Sequence, residues 1–177
     1  MKKLLLALIA SSAALAFADT PANPVYAQLQ AGASFSPEYN SGTNGGGAVR
    51  FDVGYMFNPF VGIEGGFTGT TSPASATTAG SSALQFYDIS VKGVLPLGDL
   101  FNIHGQIGGA YVSGGINSLG GTDATPKALL GAGVDFNLTR QFSITLNDYQ
   151  YLAAEGGTTS GSGGNTNIVM GGVGYKF

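Results

Sequence analysis

The sequence contains no cysteine, and only 10% of its 177 residues are charged. Without cysteine, neither a disulfide nor a thiolate zinc site can form. Soluble domains usually carry about 25% charged residues, so an ordinary water-facing surface is not expected. Ten acidic residues outnumber seven basic ones, which argues against a nucleic-acid partner.

Long apolar runs are confined to the N-terminus. Residues 1–18, MKKLLLALIASSAALAFA, combine a basic start, an apolar stretch and the small-residue triplet Ala16-Phe17-Ala18, as in a secretory signal peptide. We predict cleavage before Asp19, which leaves residues 19–177 as one domain. The alternatives are a membrane anchor, for which the stretch is short, and a later cleavage after Ala27. Beyond residue 18, no run of about 18 apolar residues is available for a spanning helix.

The rest of the chain alternates apolar and polar residues with a period of two, the pattern of β-strands. In VRFDVGYMF, for example, Val49, Phe51 and Val53 share one face, and Arg50 and Asp52 the other. Eight such segments lie at 25–35, 49–57, 60–68, 87–95, 101–111, 128–136, 142–152 and 168–177. Strands cross a membrane only as a closed β-barrel, because every backbone group must be paired. The predicted fold is all-β: an eight-stranded antiparallel up-and-down transmembrane β-barrel.

The seventh segment, FSITLNDYQYL, breaks this alternation. Its apolar residues share one parity up to position 146, whereas Tyr149 and Tyr151 have the other. A β-bulge adds one residue and reverses the faces beyond it, so we predict a bulge at Asn147–Asp148. In the alternative interpretation the strand is regular, and Asp148 and Gln150 face outward where the lipid-facing belt ends.

The connections between the segments alternate in length. Short turns at 58–59, 96–99 and 137–141 alternate with longer connections near 37–47, 69–83, 112–126 and 153–166, which are rich in Gly, Ser, Thr and Asn. Outer-membrane barrels have such short periplasmic turns and longer extracellular loops, with aromatic girdles at both interfaces. The predicted girdles are Phe57, Phe60, Phe101, Phe136, Phe142 and Phe177 near the turns, and Phe35, Phe67, Tyr87, Tyr111 and Tyr151 near the loops.

With these features the chain resembles the small eight-stranded outer-membrane barrels, namely the OmpA transmembrane domain and the OmpX/Opa-like group. The resemblance covers the mature chain and rests on the signal peptide, the eight segments, NDYQY in the seventh and the terminal VGYKF. It implies a location in the bacterial outer membrane, among lipids and lipopolysaccharide. It also implies that Val173, Tyr175 and Phe177 form an assembly signal, read by the barrel-assembly machinery after passage with periplasmic chaperones. The periplasmic peptidoglycan-binding domain of OmpA has no counterpart here, so no cell-wall tether is expected.

A secreted soluble barrel, such as a lipocalin-like carrier, is the alternative architecture, because alternation alone does not show which face is wet. The polar parity is rich in Gly, Ser, Asn and Gln rather than in Lys and Glu. Small polar residues suit the crowded lumen of a narrow barrel, which its own side chains just fill. This composition favours the membrane barrel.

Eight ionisable residues of the inward parity form the predicted site, a lumen charge network: Arg50, Asp52, Glu64, Asp88, Lys92, His104, Asp135 and Lys176. Buried charges must be paired and hydrogen-bonded, so we predict compensating ion pairs that close the lumen. The alternative is a narrow ion path along the same residues.

No catalytic or metal-binding motif accompanies this network. The single histidine, His104, lies near the short-turn end, whereas small barrels that modify lipid A use a His-Ser pair in the outer part of the barrel. Metal-ligand spacings, a phosphate loop and a nucleophile elbow are not found in the sequence, so we expect no enzymatic activity, cofactor or metal. Two functions remain: a structural barrel whose loops serve adhesion or host contact, and a small passive channel.

Overall fold

The computed structural model describes residues 21–35, 45–71, 84–113, 125–153 and 165–177. These residues form eight strands: β1 (Val25–Phe35), β2 (Gly45–Met56), β3 (Val61–Thr70), β4 (Gln85–Leu97), β5 (Phe101–Ser113), β6 (Thr125–Asn137), β7 (Phe142–Ala153) and β8 (Thr166–Lys176). The predicted signal peptide, residues 1–18, and most of the four longer connections lie outside the described residues. In the ranges described, no helix is long and apolar enough to cross a membrane.

The strands close into one antiparallel barrel in sequence order, and β8 pairs with β1. The strands are staggered. A path that starts at Val25 and passes from each residue to its partner on the next strand returns to β1 at Phe35 instead of Val25. A stagger of this kind requires strands tilted by about 45° to the barrel axis, as in transmembrane barrels. The predicted eight-stranded up-and-down barrel is confirmed.

Three short turns, at 57–60, 98–100 and 138–141, lie at one end of the barrel, here called the periplasmic end. Hydrogen bonds from backbone N–H groups to nearby side chains, and one glycine, stabilise these turns. The Asn58 side-chain oxygen accepts hydrogen bonds of 2.8 Å from the backbone N–H groups of Phe60 and Val61, and Thr139 accepts from the N–H of Phe142 at 2.9 Å. Gly98 has φ of 81°, in the left-handed region that glycine adopts without strain.

The outer face of the barrel is apolar, as expected for a surface in lipid. Side chains such as Leu29, Ile89, Val91 and Ile107 are more than half exposed on it. Aromatic residues ring its two ends: Phe57, Phe101, Phe142 and Phe177 near the periplasmic end, and Phe35, Phe67, Tyr87 and Tyr111 near the other. Phe60 and Phe136 of the predicted periplasmic girdle are partly exposed.

The predicted bulge in β7 is wrong. Asn147 pairs with Gly133, and Asp148 with the preceding residue of β6, so the register of β7 is continuous. Tyr149 and Tyr151 therefore lie in the lumen, with 1% and 0% exposure, and Tyr151 is no girdle residue. The alternative interpretation is correct in that the strand is regular and Asp148 and Gln150 face outward. Aromatic rings misled the prediction because tyrosine fills a lumen as well as it marks a membrane interface.

An apolar cluster that the alternation did not indicate fills the lumen toward the longer connections. We call it the apolar layer; its members are Ala48, Phe86, Ala110, Val112, Leu129, Tyr149, Tyr151, Ile168 and Met170. An eight-stranded barrel is just wide enough for side chains to fill it, so large apolar side chains exclude water from this half. Lys127, just before the predicted sixth strand segment, is a buried residue of β6.

Candidate functional site: the lumen charge network

The lumen charge network lies inside the barrel, between the periplasmic end and the apolar layer. Seven of the eight predicted residues are buried, with exposures between 0% and 9%: Arg50, Asp52, Glu64, Asp88, Lys92, His104 and Asp135. They stand on β2 to β6, at inward positions of the two-residue period. Lys176, on β8, is only partly buried.

Arg50 is the centre of the network. Its Nη1 and Nη2 atoms donate to the two carboxylate oxygens of Asp88, at 2.6 and 2.8 Å. Its Nε lies 2.6 Å from Asp52 Oδ1, an ion contact without the alignment of a hydrogen bond. Glu64 Oε1 is 3.7 Å from Nη2. The paired hydrogen bonds to Asp88 match the fork of the guanidinium and join β2 to β4 across β3.

Two tyrosines of β7 complete the surroundings of Arg50. Its guanidinium lies 4.3 Å from the ring centroid of Tyr149, close enough for a cation–π interaction. Nη1 also donates to the Tyr151 hydroxyl at 2.8 Å, and that hydroxyl donates to Asp88 Oδ2 at 3.1 Å. These contacts tie β7 to β2 and β4, and they explain why both rings point inward.

Gly66 of β3 leaves the space that the guanidinium occupies. A Cβ atom at this position would overlap Arg50 Nη2 and would lie 2.6 Å from Asp52 Oδ1. Glycine is therefore required here by close approach, because Asp88 and Asp52 hold the guanidinium in place.

Glu64 and Lys92 form the next layer toward the periplasmic end. Lys92 Nζ donates to Glu64 Oε2 at 3.2 Å and lies 4.8 Å from the ring centroid of Tyr26. The Tyr26 hydroxyl donates to the same oxygen at 2.6 Å, and the Gln106 amide donates to Glu64 Oε1 at 3.0 Å. Both Glu64 oxygens are thus bonded, by groups from β1, β4 and β5.

A chain of amides links the central layer to His104. The Gln30 amide donates to Asp52 Oδ2 at 2.6 Å, and the Asn147 amide donates to Gln30 Oε1 at 2.8 Å. His104 Nε2 lies 2.7 Å from Asn147 Oδ1, and its Nδ1 lies 3.1 Å from Asp135 Oδ2. The imidazole is therefore held between an amide and a carboxylate, an arrangement that fixes the ring rather than activating a hydroxyl.

Lys176 was predicted to form an ion pair, but its hydrogen-bond partner is an amide. Its Nζ donates to the amide oxygen of Asn137 at 3.1 Å, rather than to a carboxylate. It lines a cavity of about 320 Å³ at the periplasmic end, together with Lys92, Asp135 and Ser143. The cavity gives water access to Lys176, so this ammonium group does not require an acidic partner.

The alternation in the sequence predicted these ionisable residues but did not predict the apolar layer. Phe86, Leu129 and Ile168 lie on the inward parity of their strands. This parity could have predicted the apolar layer. Within the described ranges, no group of His, Asp and Glu side chains is arranged to hold a metal ion. The ion pairs and hydrogen bonds of the network can neutralise the buried charges and hold the side chains of the lumen in place.

The three residues of the predicted assembly signal lie on one face of the last strand. Val173 and Phe177 are exposed, and Tyr175 is partly exposed between Phe142 and Phe177, with ring centroids 5.0 and 4.9 Å away. The backbone N–H of Phe177 donates to the carbonyl of Val25 at 2.9 Å, so the last residue is still paired with β1.

The sequence matches the outer membrane protein β-barrel domain over residues 4–177. The chain belongs to this family. Its members are proteins of the bacterial outer membrane, and this protein is therefore located there, in contact with the membrane lipids.

Solved structures show the same architecture. Neisserial surface protein A is similar with a TM-score of 0.67 at 14% identity, over 86% of this chain and 97% of that one. The N-terminal barrel domain of OprF from Pseudomonas aeruginosa gives 0.59 at 15%, over 86% and 97%. Ail of Yersinia pestis, solved with the heparin analogue sucrose octasulfate, gives 0.56 at 17%, over 87% and 97%. At these identities the likeness concerns the fold alone. A comparison with curated proteins gives no match.

Proposed function

We propose that this outer-membrane barrel is a non-conducting structural protein that presents its longer connections at the cell surface. The observation that carries this proposal is the filled lumen. Arg50, Asp52 and Glu64 have no exposed surface, and they contact one another across the barrel. The apolar layer follows immediately toward the surface side.

These two barriers in series oppose a passive channel. An ion crossing the lumen would have to separate Arg50 from Asp88, and a buried pair is costly to break. It would then have to pass Phe86, Leu129 and Ile168, each with 0% exposure. Hydrophobic constrictions stop ions because water does not wet them.

The contact function is assigned to the longer connections because their counterparts at the periplasmic end are only short turns. Residues 36–44, 72–83, 114–124 and 154–164 contain three charged residues, Glu38, Asp123 and Glu155, all acidic. Adhesion or host contact is the role we assign to them. Their charge favours a neutral or cationic partner over a polyanion such as the sulfated ligand of Ail.

We also propose a route by which the chain reaches the membrane. The signal peptide at 1–18 directs export, periplasmic chaperones carry the unfolded chain, and the barrel-assembly machinery recognises Val173, Tyr175 and Phe177. Lipopolysaccharide then surrounds the outer end of the barrel. The alternating exposed residues at the end of β8 support this reading, and the resemblance to small outer-membrane barrels supplies the recognition step. Enzymatic activity is not part of the proposal.

Planar bilayers test the filled lumen directly. We expect the purified, folded protein to give no steady conductance. A control variant, Arg50→Ala combined with Phe86→Ala, removes the centre of the network and a large side chain of the apolar layer, and should conduct. Steady conductance by the unaltered protein would contradict the proposal and support the passive channel.

Surface display is tested with an epitope on intact cells. Inserted between residues 76 and 77, within one longer connection, the epitope should bind antibody without permeabilisation. The matched control places the same epitope in the turn at 138–141, where it should bind only after the outer membrane is opened. The reverse pattern would show that the longer connections face the periplasm.

A further inference from the structure

Asp148 of β7 faces the membrane. Its inward neighbours along the strand, Asn147 and Tyr149, are buried in the lumen, so Asp148 projects from the outer face. In the described strands, it is the only charged side chain at an outward position. Its Oδ1 atom is buried by neighbouring groups and has no hydrogen-bond partner.

The position of Asp148 is close to the middle of the lipid-facing band. It follows Phe142 of the periplasmic girdle by six positions on β7, from residue 142 to residue 148. At a rise of about 3.3 Å per residue and a tilt of about 45°, this places it roughly 14 Å above the girdle, in a band about 25 Å tall. Hydrocarbon offers a carboxylate no donor, so an unpaired Asp at this height is unfavourable.

The girdle near the longer connections is interrupted in the same sector. Its exposed aromatic residues, Phe35, Phe67, Tyr87 and Tyr111, lie on β1, β3, β4 and β5. At outward positions toward the longer connections, β6, β7 and β8 carry Ala128, Leu152 and Asn167 instead. Aromatic belts mark where a protein meets the lipid interface. A gap over three consecutive strands, above an outward carboxylate, indicates a surface that lipid does not cover.

We propose that a second copy of this chain docks on this surface, the β7–β8 patch, made of Asp148, Gln150 and Asn167 with Ala132 and Gly171 beside them. The patch contains both a carboxylate acceptor and amide donors, so it is complementary to itself under two-fold symmetry, the commonest symmetry of homo-oligomers. Gln150 lies about 7 Å from Asp148 along the strand, within reach of a side chain from a facing copy.

The small residues make close approach feasible. Ala132 is the strand partner of Asp148, and Gly171 is the partner of Leu146, one outward position below. Both are exposed on the outer face. Small side chains let two membrane-embedded backbones come close, and polar side chains can then bond across the interface. The Gln150 amide of each copy donates to the Asp148 carboxylate of the other.

Cysteine crosslinking in native outer membranes tests the dimer, because the chain has no cysteine of its own. Val169→Cys, at an outward position beside Asp148, should give crosslinked dimers at least about tenfold more often than Ile89→Cys, a matched outward position on β4. Adding Asp148→Leu to Val169→Cys should lower the yield about tenfold, whereas Asp148→Asn should preserve it. A folded barrel resists detergent until it is heated, so a change in gel mobility on boiling shows that a variant has folded.

Three results would overturn the proposal. Equal crosslinking at positions 169 and 89 would show that the patch faces lipid. An unchanged yield with Asp148→Leu would show that the carboxylate takes no part. A product whose mass is not twice that of the chain would assign the patch to a different membrane protein. The comparison of positions 169 and 89 keeps Asp148 unchanged, so it tests the proposal even if Asp148→Leu assembles poorly.

Discussion

Arg50 on β2 and Asp88 on β4 form a two-bond ion pair inside the barrel, with N–O distances of 2.6 and 2.8 Å. The pair spans β3, and Tyr151 of β7 bonds to both of its members. One guanidinium therefore holds three strands, β2, β4 and β7, together, which makes Arg50 the residue whose loss should affect the barrel most.

Replacing Arg50 with Met should lower the free energy of unfolding by about 3–5 kcal/mol, because Asp88 and Asp52 remain buried without their cation. Arg140→Met is the matched control, since Arg140 is exposed in a periplasmic turn, and its effect should stay within about 0.5 kcal/mol. Urea unfolding in lipid vesicles gives both values. A loss below about 0.5 kcal/mol for Arg50→Met would show that water solvates the lumen and that the network does not close it.

Gly66 should tolerate no side chain. Gly66→Ala places a methyl group against the Arg50 guanidinium, and such overpacking typically costs about 1–3 kcal/mol. On the same strand, a Cβ at Gly69 meets no atom within 4 Å, so Gly69→Ala serves as the control and should be nearly neutral. Equal stabilities of the two variants in urea would show that the guanidinium moves aside freely.

Deleting Phe177 should reduce outer-membrane assembly in cells far more than refolding of the purified protein into detergent. Its ring contacts Tyr175 at the outer surface, and its N–H makes one backbone bond to β1, so the loss of stability should be modest. Phe101→Ala, another exposed girdle residue, should assemble normally. Quantitative blots of membrane fractions and refolding yields measure the two effects.

The comparison of the two assays separates the roles of Phe177. Equal loss in cells and in detergent would assign it to stability alone. Normal assembly after the deletion would mean that the last residue is not part of the recognition signal.

The mature chain should begin at Asp19, which mass spectrometry of the purified membrane protein can establish. The competing site after Ala27 would remove Val25 and Tyr26 from β1, and with them the Tyr26 bond to Glu64. Ala18→Leu should slow processing, because cleavage needs a small residue there, whereas Ala27→Leu should leave it unchanged. A mature N-terminus at Gln28 would contradict this assignment.

The number of strands, their antiparallel order and most of their faces could be predicted from the sequence. A period of two can be read directly, because successive side chains of a strand point to opposite sides. The inward parity also located Arg50, Asp52 and Glu64, since a charged side chain is rare on the lipid face. The three short turns were also predicted, and in the structure the side-chain bonds of Asn58 and Thr139 and the left-handed backbone of Gly98 explain them.

Which inward residues meet one another depends on the closed barrel and could not be predicted from the sequence. The faces of β7 were misjudged because the aromatic rings of Tyr149 and Tyr151 fit a lumen or an interface equally well, and their hydroxyl partners come from distant strands. The pairing of Arg50 with Asp88, and of Lys176 with Asn137, depends on the stagger that closes the barrel. That stagger sets the height of every side chain, and it is a property of all eight strands together rather than of any one segment.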